Sequence, residues 1–296
     1  MTFPLLNLPN ELLVKIFGLL EFDDFISMKS TCKVAKNVAE KNVKFMPKKE
    51  KDSMRIYFGF RRIGNCLTIV ETCLDGKKKT LTFGSDENLM LYLSNLKIIN
   101  RFFIDAYNPS FISHFTIGSL IENVEILNLS NIKIPMSATE ILPLFKACKK
   151  LNHFCLESGS LINGKLLTLV DQMNYCYSVR CHGESNLEID NECLQIISSK
   201  STELTPVLQI FVPEIPSSIT LTALVEFLRS TIFLQNSSIS LSRVIGTRHE
   251  LISSFFPLIR LLHFEATLYD FEAMISVSED VYIRLNICNF QAPVLD

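Results

Sequence analysis

Along most of this chain an apolar residue, two of any kind, a second apolar residue, one of any kind and a third apolar residue recur at nearly constant intervals. The pattern stands at Ile99/Phe102/Ile104, Val124/Leu127/Leu129, Leu151/Phe154/Leu156 and Cys176/Val179/Cys181, with first positions 25, 27 and 25 residues apart. Weaker copies follow at Val207/Ile210/Val212, Ile259/Leu262/Phe264 and Tyr282/Leu285/Ile287, and Ile239 with Leu241 marks one more. Within each copy the last two apolar residues are two apart, which puts both on one face of a β-strand. Between copies the apolar spacing is helical: Leu166/Leu169/Val170/Met173 and Leu224/Phe227/Leu228 each paint one stripe. Ser137 and Glu140 form a capping-box pattern ahead of Ile141, Leu142, Phe145 and Cys148, with Pro143 blurring where that helix starts. Strands alternating with helices predict an α/β fold with a mainly parallel sheet.

A strand and a helix every 20 to 30 residues or so resembles the leucine-rich-repeat layout, whose strands stack in parallel with helices outside. The copies are degenerate: Asn131 comes one residue too early for the Asn that closes the strand turn, and Gly159 stands in its place after Leu156. The expectation is an irregular leucine-rich-repeat-like solenoid over 99–296, whose strand face would form an extended surface for another protein. An ordinary α/β domain with fortuitous periodicity is the alternative, and it too implies a mainly parallel sheet. Ahead of the repeats, residues 54–84 read as antiparallel strands, because Leu67 to Cys73 and Lys79 to Phe83 alternate around Asp75-Gly76, a hairpin signal. A polar, Lys-rich connector over 47–53, with Pro47, is expected to act as a hinge.

Residues 1–46 read differently. Pro9 suits the first turn of a helix, since its fixed φ is helical and its missing N–H would have no partner there. Leu12, Leu13, Ile16, Phe17 and Leu20 follow as one apolar stripe. Phe22-Asp23-Asp24 reads as a stop and restart, either Asp capping the next helix and Phe22 acting as its staple. That second helix places Met28, Cys32, Ala35, Val38 and Ala39 on one side. So small a helical unit buries too little surface to stand alone and calls for a partner.

The run Leu-Pro-Asn-Glu-Leu-Leu-Val-Lys-Ile-Phe at 8–17, the acidic turn at 21–24 and Cys32-Lys33 resemble an F-box, over roughly Phe3 to Val43. Phe3-Pro4-Leu5-Leu6 and the degenerate downstream region are most similar to the large nematode F-box group. The Trp that often follows the Cys-Lys pair is missing; the chain has no Trp at all. The resemblance implies a module that docks onto a Skp-type adaptor and joins a cullin complex. By the same resemblance, Leu8, Pro9, Glu11, Leu12, Ile16, Phe17, Cys32 and Lys33 bind the adaptor or support the helix that does.

Composition narrows the remaining classes. With 48% apolar residues, 22 of them Phe, 296 residues can bury a sizeable core. A net charge of −2 lacks the electrostatic footprint of a general nucleic-acid binder, and the short basic runs at 48–51, 61–62 and 77–79 read as solvated loops. The N-terminus shows no signal-peptide pattern and no run approaches the length of a membrane span. Nine cysteines at irregular spacings then read as reduced thiols, and the protein is expected to be intracellular, cytoplasmic or nuclear, with no membrane partner. The glycosylation sequons at Asn128 and Asn236 carry no meaning in that setting.

No catalytic pattern emerges. Gly159 to Leu166 has the glycines and lysine of a phosphate-binding loop, yet Leu166 stands where a hydroxyl must reach the magnesium. Cys176 and Cys181 are five apart, with opposite strand parity, which does not suit a shared metal. His114, His153, His182, His249 and His263 are scattered with no nucleophile elbow beside them, and Asp23-Asp24 is better read as helix capping than as an acid/base pair. No cofactor or metal is expected and the chain is not expected to be an enzyme. The expected function is substrate recognition for an SCF-type ubiquitin ligase, the adaptor bound by the F-box and a protein substrate by the C-terminal domain. The alternative is a leucine-rich-repeat-type interaction scaffold outside ubiquitination.

Overall fold

The computed structural model describes residues 8–42, 45–62, 65–106, 120–157, 160–182, 185–255, 260–266, 271–276 and 281–291. Among the described residues three short helices come first, α1 (Asn10–Gly18), α2 (Phe22–Thr31) and α3 (Lys33–Lys41). Strands β1 (Lys49–Arg62), β2 (Asn65–Leu74) and β3 (Lys77–Phe83) follow, then α4 (Asp86–Leu93) and β4 (Leu96–Ala106). Next come β5 (Ile126–Ser130), β6 (Met136–Ser137), α5 (Ala138–Ala147), β7 (His153–Leu156), β8 (Ile162–Lys165), α6 (Leu167–Val170), β9 (Ser178–Cys181), β10 (Asn186–Glu188) and α7 (Asn191–Ser199). The last part holds β11 (Val207–Val212), α8 (Leu221–Ser230), β12 (Phe233–Leu241), β13 (Val244–Ile245), α9 (Arg248–Phe255), β14 (Arg260–Ala266), β15 (Phe271–Ser276), β16 (Tyr282–Ile287) and β17 (Phe290–Gln291).

Among the described residues twelve strands form one sheet in the order β14-β15-β16-β12-β11-β9-β7-β5-β4-β1-β2-β3. From β1 through β4, β5, β7, β9, β11 and β12 to β16 every neighbouring pair is parallel, while β1-β2-β3 and β14-β15-β16 are antiparallel. The periodic apolar residues explain the register. Met54, Phe102, Leu127, Phe154, Val179, Ile210, Ile239 and Leu285 pair in sequence across eight strands, and all are buried. Burial on this row fixes the register, because a slip of one residue would turn the whole set to solvent. Helices cover the row: Phe145 of α5 meets Phe154 edge-on, ring centroids 5.0 Å apart, and Phe227 of α8 meets Phe233 at 5.6 Å.

The established architecture is therefore a mixed α/β sheet with N-terminal helices; the structure does not show the expected solenoid. Two departures account for this. The β1 strand is shared between the hairpin strands and the parallel block, so 54–84 extends the large sheet. At the other end, β16 and not β14 joins β12, and the chain closes the sheet with an antiparallel meander. The Asp75-Gly76 turn has positive φ at both residues, 50° and 75°, the geometry of a tight hairpin. The expected hinge differs as well: β1 begins at Lys49, so most of 47–53 is strand, and the Lys48 ammonium is bonded to the Ser94 carbonyl.

The capping box is formed in full. Ser137 Oγ accepts from the Glu140 N–H at 3.3 Å, Glu140 Oε2 accepts from the Ser137 N–H at 2.6 Å, and α5 runs through Pro143. These bonds hold the Glu140 carboxyl below its usual range. Ser137→Ala should lower stability by about 1 kcal/mol in chemical denaturation.

Candidate functional site

The N-terminal helices have an apolar cluster of their own, separate from that of the sheet: Leu13, Phe17, Phe25, Ala35, Val38, Ala39 and Met46. Pro9 is the residue before α1, extended at φ −54° and ψ 146°, and its carbonyl accepts from the Leu12 and Leu13 N–H groups at 3.0 and 3.1 Å. Asp23 and Asp24 do not cap α2. Glu21 precedes that helix without a side-chain cap, Phe22 is its first residue, and the two carboxylates lie in its first turn, where the helix dipole favours negative charge. The second predicted helix is in fact two. Cys32 is extended at φ −150° and ψ 150°, and its Sγ accepts from the Ala35 N–H at 3.2 Å, so the thiol caps α3.

These helices separate support from surface in a way the sequence could not. Leu13 and Phe17 are 0% exposed, which places both inside the module's own core. Leu8, Ile16 and Cys32 are half-buried, whereas Pro9, Glu11, Leu12 and Lys33 are exposed. The single predicted stripe is two stripes. Leu13 and Phe17 turn inward with Ile16 and Leu20 half-buried against the same core, while Leu12 (44% exposed) and Leu19 (88% exposed), seven apart, face out. Ile26, Val34 and Phe45 are also exposed apolar residues of this module. A groove of about 540 Å³ lies beside α2 and α3, lined by Ile26, Thr31, Cys32, Lys33 and Lys36 among others. Leu19, Ile26, Val34 and Phe45 were missed in the sequence; the heptad spacing of Leu12 and Leu19 was the available signal. Phe3 to Asn7 and Val43, at the ends of the resemblance, lie outside the described residues.

Elsewhere the chemistry-bearing side chains are accounted for by packing. Lys165 ends β8, where it pairs with Asp190 at 2.9 Å, and Leu166 is buried; Gly159 lies outside the described residues. Cys176 precedes β9, so strand parity does not govern it, and it is buried together with Cys181 and Cys193. Burial pushes the Cys176 thiol up to about 12 and raises Cys181 and Cys193 as well, the opposite of what an activated nucleophile needs. His153 Nδ1 lies 2.6 Å from Asn152 Oδ1 and its ring packs on Tyr177, and His182 packs on Phe211. His249 is exposed on α9, His263 lies on β14, and His114 is outside the described residues. Among the described residues no group of three or more His, Cys, Asp or Glu is placed to hold a metal ion, and no helix is long and apolar enough to cross a membrane.

The site defined by this geometry is a small helical module that packs its own core and leaves an apolar row open, the form of a protein-docking module. The family model of the F-box domain matches residues 5–45, so the helical module is an F-box domain. F-boxes in general bind Skp-type adaptors within cullin complexes, and proteins that carry them are typically non-enzymatic substrate receptors. No curated protein and no solved structure matches the chain.

Proposed function

We propose that this chain is a substrate receptor of an SCF-type ubiquitin ligase, its helical module (1–46) docking a Skp-type adaptor and its sheet domain (54–296) holding the protein to be ubiquitinated. The observation that carries this reading is that Leu12 and Leu19 stand exposed, with half-buried Ile16 between them, beside the inward row Leu13 and Phe17. An apolar row with an independent core beneath it stays folded when uncovered and gains by burial against a partner. Pro9, Glu11, Leu12, Ile16 and Lys33 then meet the adaptor, with Leu8 at the margin. Phe17 supports α1 from within, and Cys32 sets the angle at which α3 leaves α2. The mechanism is proximity: the receptor supplies no reacting group and raises the local concentration of substrate lysines near a charged conjugating enzyme.

Co-precipitation from cells tests this. Wild type should bring down the adaptor and cullin at endogenous levels. Leu12→Asp/Leu19→Asp should reduce capture at least about tenfold, the loss expected of central apolar contacts, with an unchanged melting curve because both residues are already exposed. Wild type that captures no adaptor would sink the reading and leave an interaction scaffold outside ubiquitination.

A further inference from the structure

The face of the large sheet opposite the helices carries a second regular row. Arg55, Phe103, Asn128, Cys155, Arg180 and Phe211 pair in sequence across β1, β4, β5, β7, β9 and β11. The row beside it runs Ser53, Arg101, Ile126, His153, Ser178 and Gln209. These side chains alternate with the buried ladder. Arg101 and Arg180 are exposed, and Phe103, Ile126, His153, Cys155 and Phe211 are half-buried. The surface is thus mixed, with Phe103, Ile126, Cys155 and Phe211 as apolar patches among polar side chains and charge at defined points.

That charge is unevenly compensated. Toward the two ends of the sheet two open-face cations have partners, Lys78 with Glu71 at 2.9 Å and Arg284 with Glu272 at 3.4 Å. In the middle, Arg101 and Arg180 have no carboxylate within ion-pair distance among the described residues. Both guanidiniums act on the imidazole between them: burial first, then Arg180 and Arg101, hold His153 below its ordinary value. The carboxylates of the face lie toward the C-terminal ends of the strands, Asp105 accepting from Asn131 at 2.9 Å and Glu157 following β7. On the row itself Asn128 Oδ1 and Arg55 Nε are buried without a hydrogen-bond partner, and the Arg55 guanidinium lies over the rings of Tyr57 and Phe103 at 5.0 and 5.9 Å.

Geometry restricts what could complement this patch. Arg101 and Arg180 are three strand steps apart and offset by two residues, which separates them by roughly 16 Å. Residues i and i+4 of an extended segment lie on one side, about 13 Å apart, and Glu side chains cover the difference. The residue at i+2 points the same way, onto Ile126 and Cys155. A single-stranded nucleic acid needs instead a continuous basic track for successive phosphates, and the positions between the two arginines are Ile126, His153, Asn128 and Cys155.

We propose that the open face of β4, β5, β7 and β9 binds an extended acidic segment of a partner protein, with carboxylates at i and i+4 on Arg101 and Arg180 and an apolar residue at i+2 between them. This deepens the receptor reading, on which it rests, by giving the class of segment the sheet domain would hold. The test is fluorescence anisotropy on the full chain with a labelled peptide containing Glu-Ser-Leu-Ser-Glu. Saturable binding is expected at 50 mM salt, weakened at least tenfold by 500 mM salt and by Arg101→Ala/Arg180→Ala, and unchanged in Arg284→Ala. The peptide Lys-Ser-Leu-Ser-Lys should not bind wild type and should bind Arg101→Glu/Arg180→Glu. Equal binding of the Glu peptide by wild type and the double-alanine variant, no binding at all, or tighter binding of a dT12 oligonucleotide at the same arginines would overturn the proposal. Adaptor capture by the same arginine variants is read separately: capture retained with peptide binding lost separates the two sites, and peptide binding without adaptor capture upholds this face while the ligase reading falls.

Discussion

Raising the pH from 8 to 10 should lower the free energy of unfolding by about 5 kcal/mol through four buried thiols alone. Cys148, Cys176, Cys181 and Cys193 are 2%, 1%, 0% and 0% exposed. Burial among apolar side chains pushes Cys148 and Cys176 up to about 12 and raises Cys181 and Cys193 too, from an ordinary 9.0. The sign follows from the two states. Below pH 9 the thiols are neutral whether the chain is folded or not, so they add no pH dependence. Above it the unfolded chain ionises them and the folded chain does not, so stability is lost progressively from pH 9 toward 12. Each thiol contributes about 1.4 kcal/mol per pH unit in that window, and four together rival the whole stability of an ordinary domain. Urea denaturation under reductant reads this directly. Coincident midpoints at pH 8 and 10 would show that the thiols are solvated in the folded chain. Cys148→Ala/Cys176→Ala should remove about half of the pH sensitivity.

Phe154→Ala should cost about 3–5 kcal/mol, the range for emptying a phenyl group from a packed core. Phe154 is at the centre of the buried ladder, between Leu127 and Val179, and its ring meets Phe145 of α5. Removing it opens a cavity where helix and sheet join, and the neighbours are held in register from both sides, so little collapse can offset the loss. The paired control is Cys155→Ala on the opposite face of the same strand, where a half-buried side chain is shortened without opening the core; its cost should stay below about 1 kcal/mol. A Phe154→Ala loss no larger than that of Cys155→Ala would contradict the assignment of the two faces.

The parallel ladder was legible because burial on one face leaves a mark at every second residue, and the eight strands it joins repeat the same geometry. The shape of the assembly was not legible. Nothing local in Phe271 to Ser276 tells that β15 will turn β14 outward and bring β16 against β12, since strand order is decided by which edges meet in space. At the N-terminus the helix α1 could be read from periodicity, but Leu12 and Leu13 are equally apolar, and only the packing of Phe25, Val38 and Met46 decides which of them is covered. The break at Cys32 was missed because a thiol is a rare helix cap and its spacing with Met28 and Ala35 also suits an unbroken helix. Asp190, Thr220 and Ser85 cap α7, α8 and α4 with their side chains and were readable in principle. The arginines of the open face gave no signal, because pairing or its absence is a property of neighbours brought together across strands.

The position of β16 has a consequence for how the chain is made. Strand β12, fourth in from one rim, has its outer edge paired by residues 282–287, which leave the ribosome about forty residues after Leu241 has done so. Until they arrive, Ser237 to Leu241 present unpaired main-chain groups beside the exposed ends of the ladder, open to any passing strand. The outer edge of β12 is thus covered by a segment made well after it, and for that interval the strand depends on its other edge, paired with β11, for order.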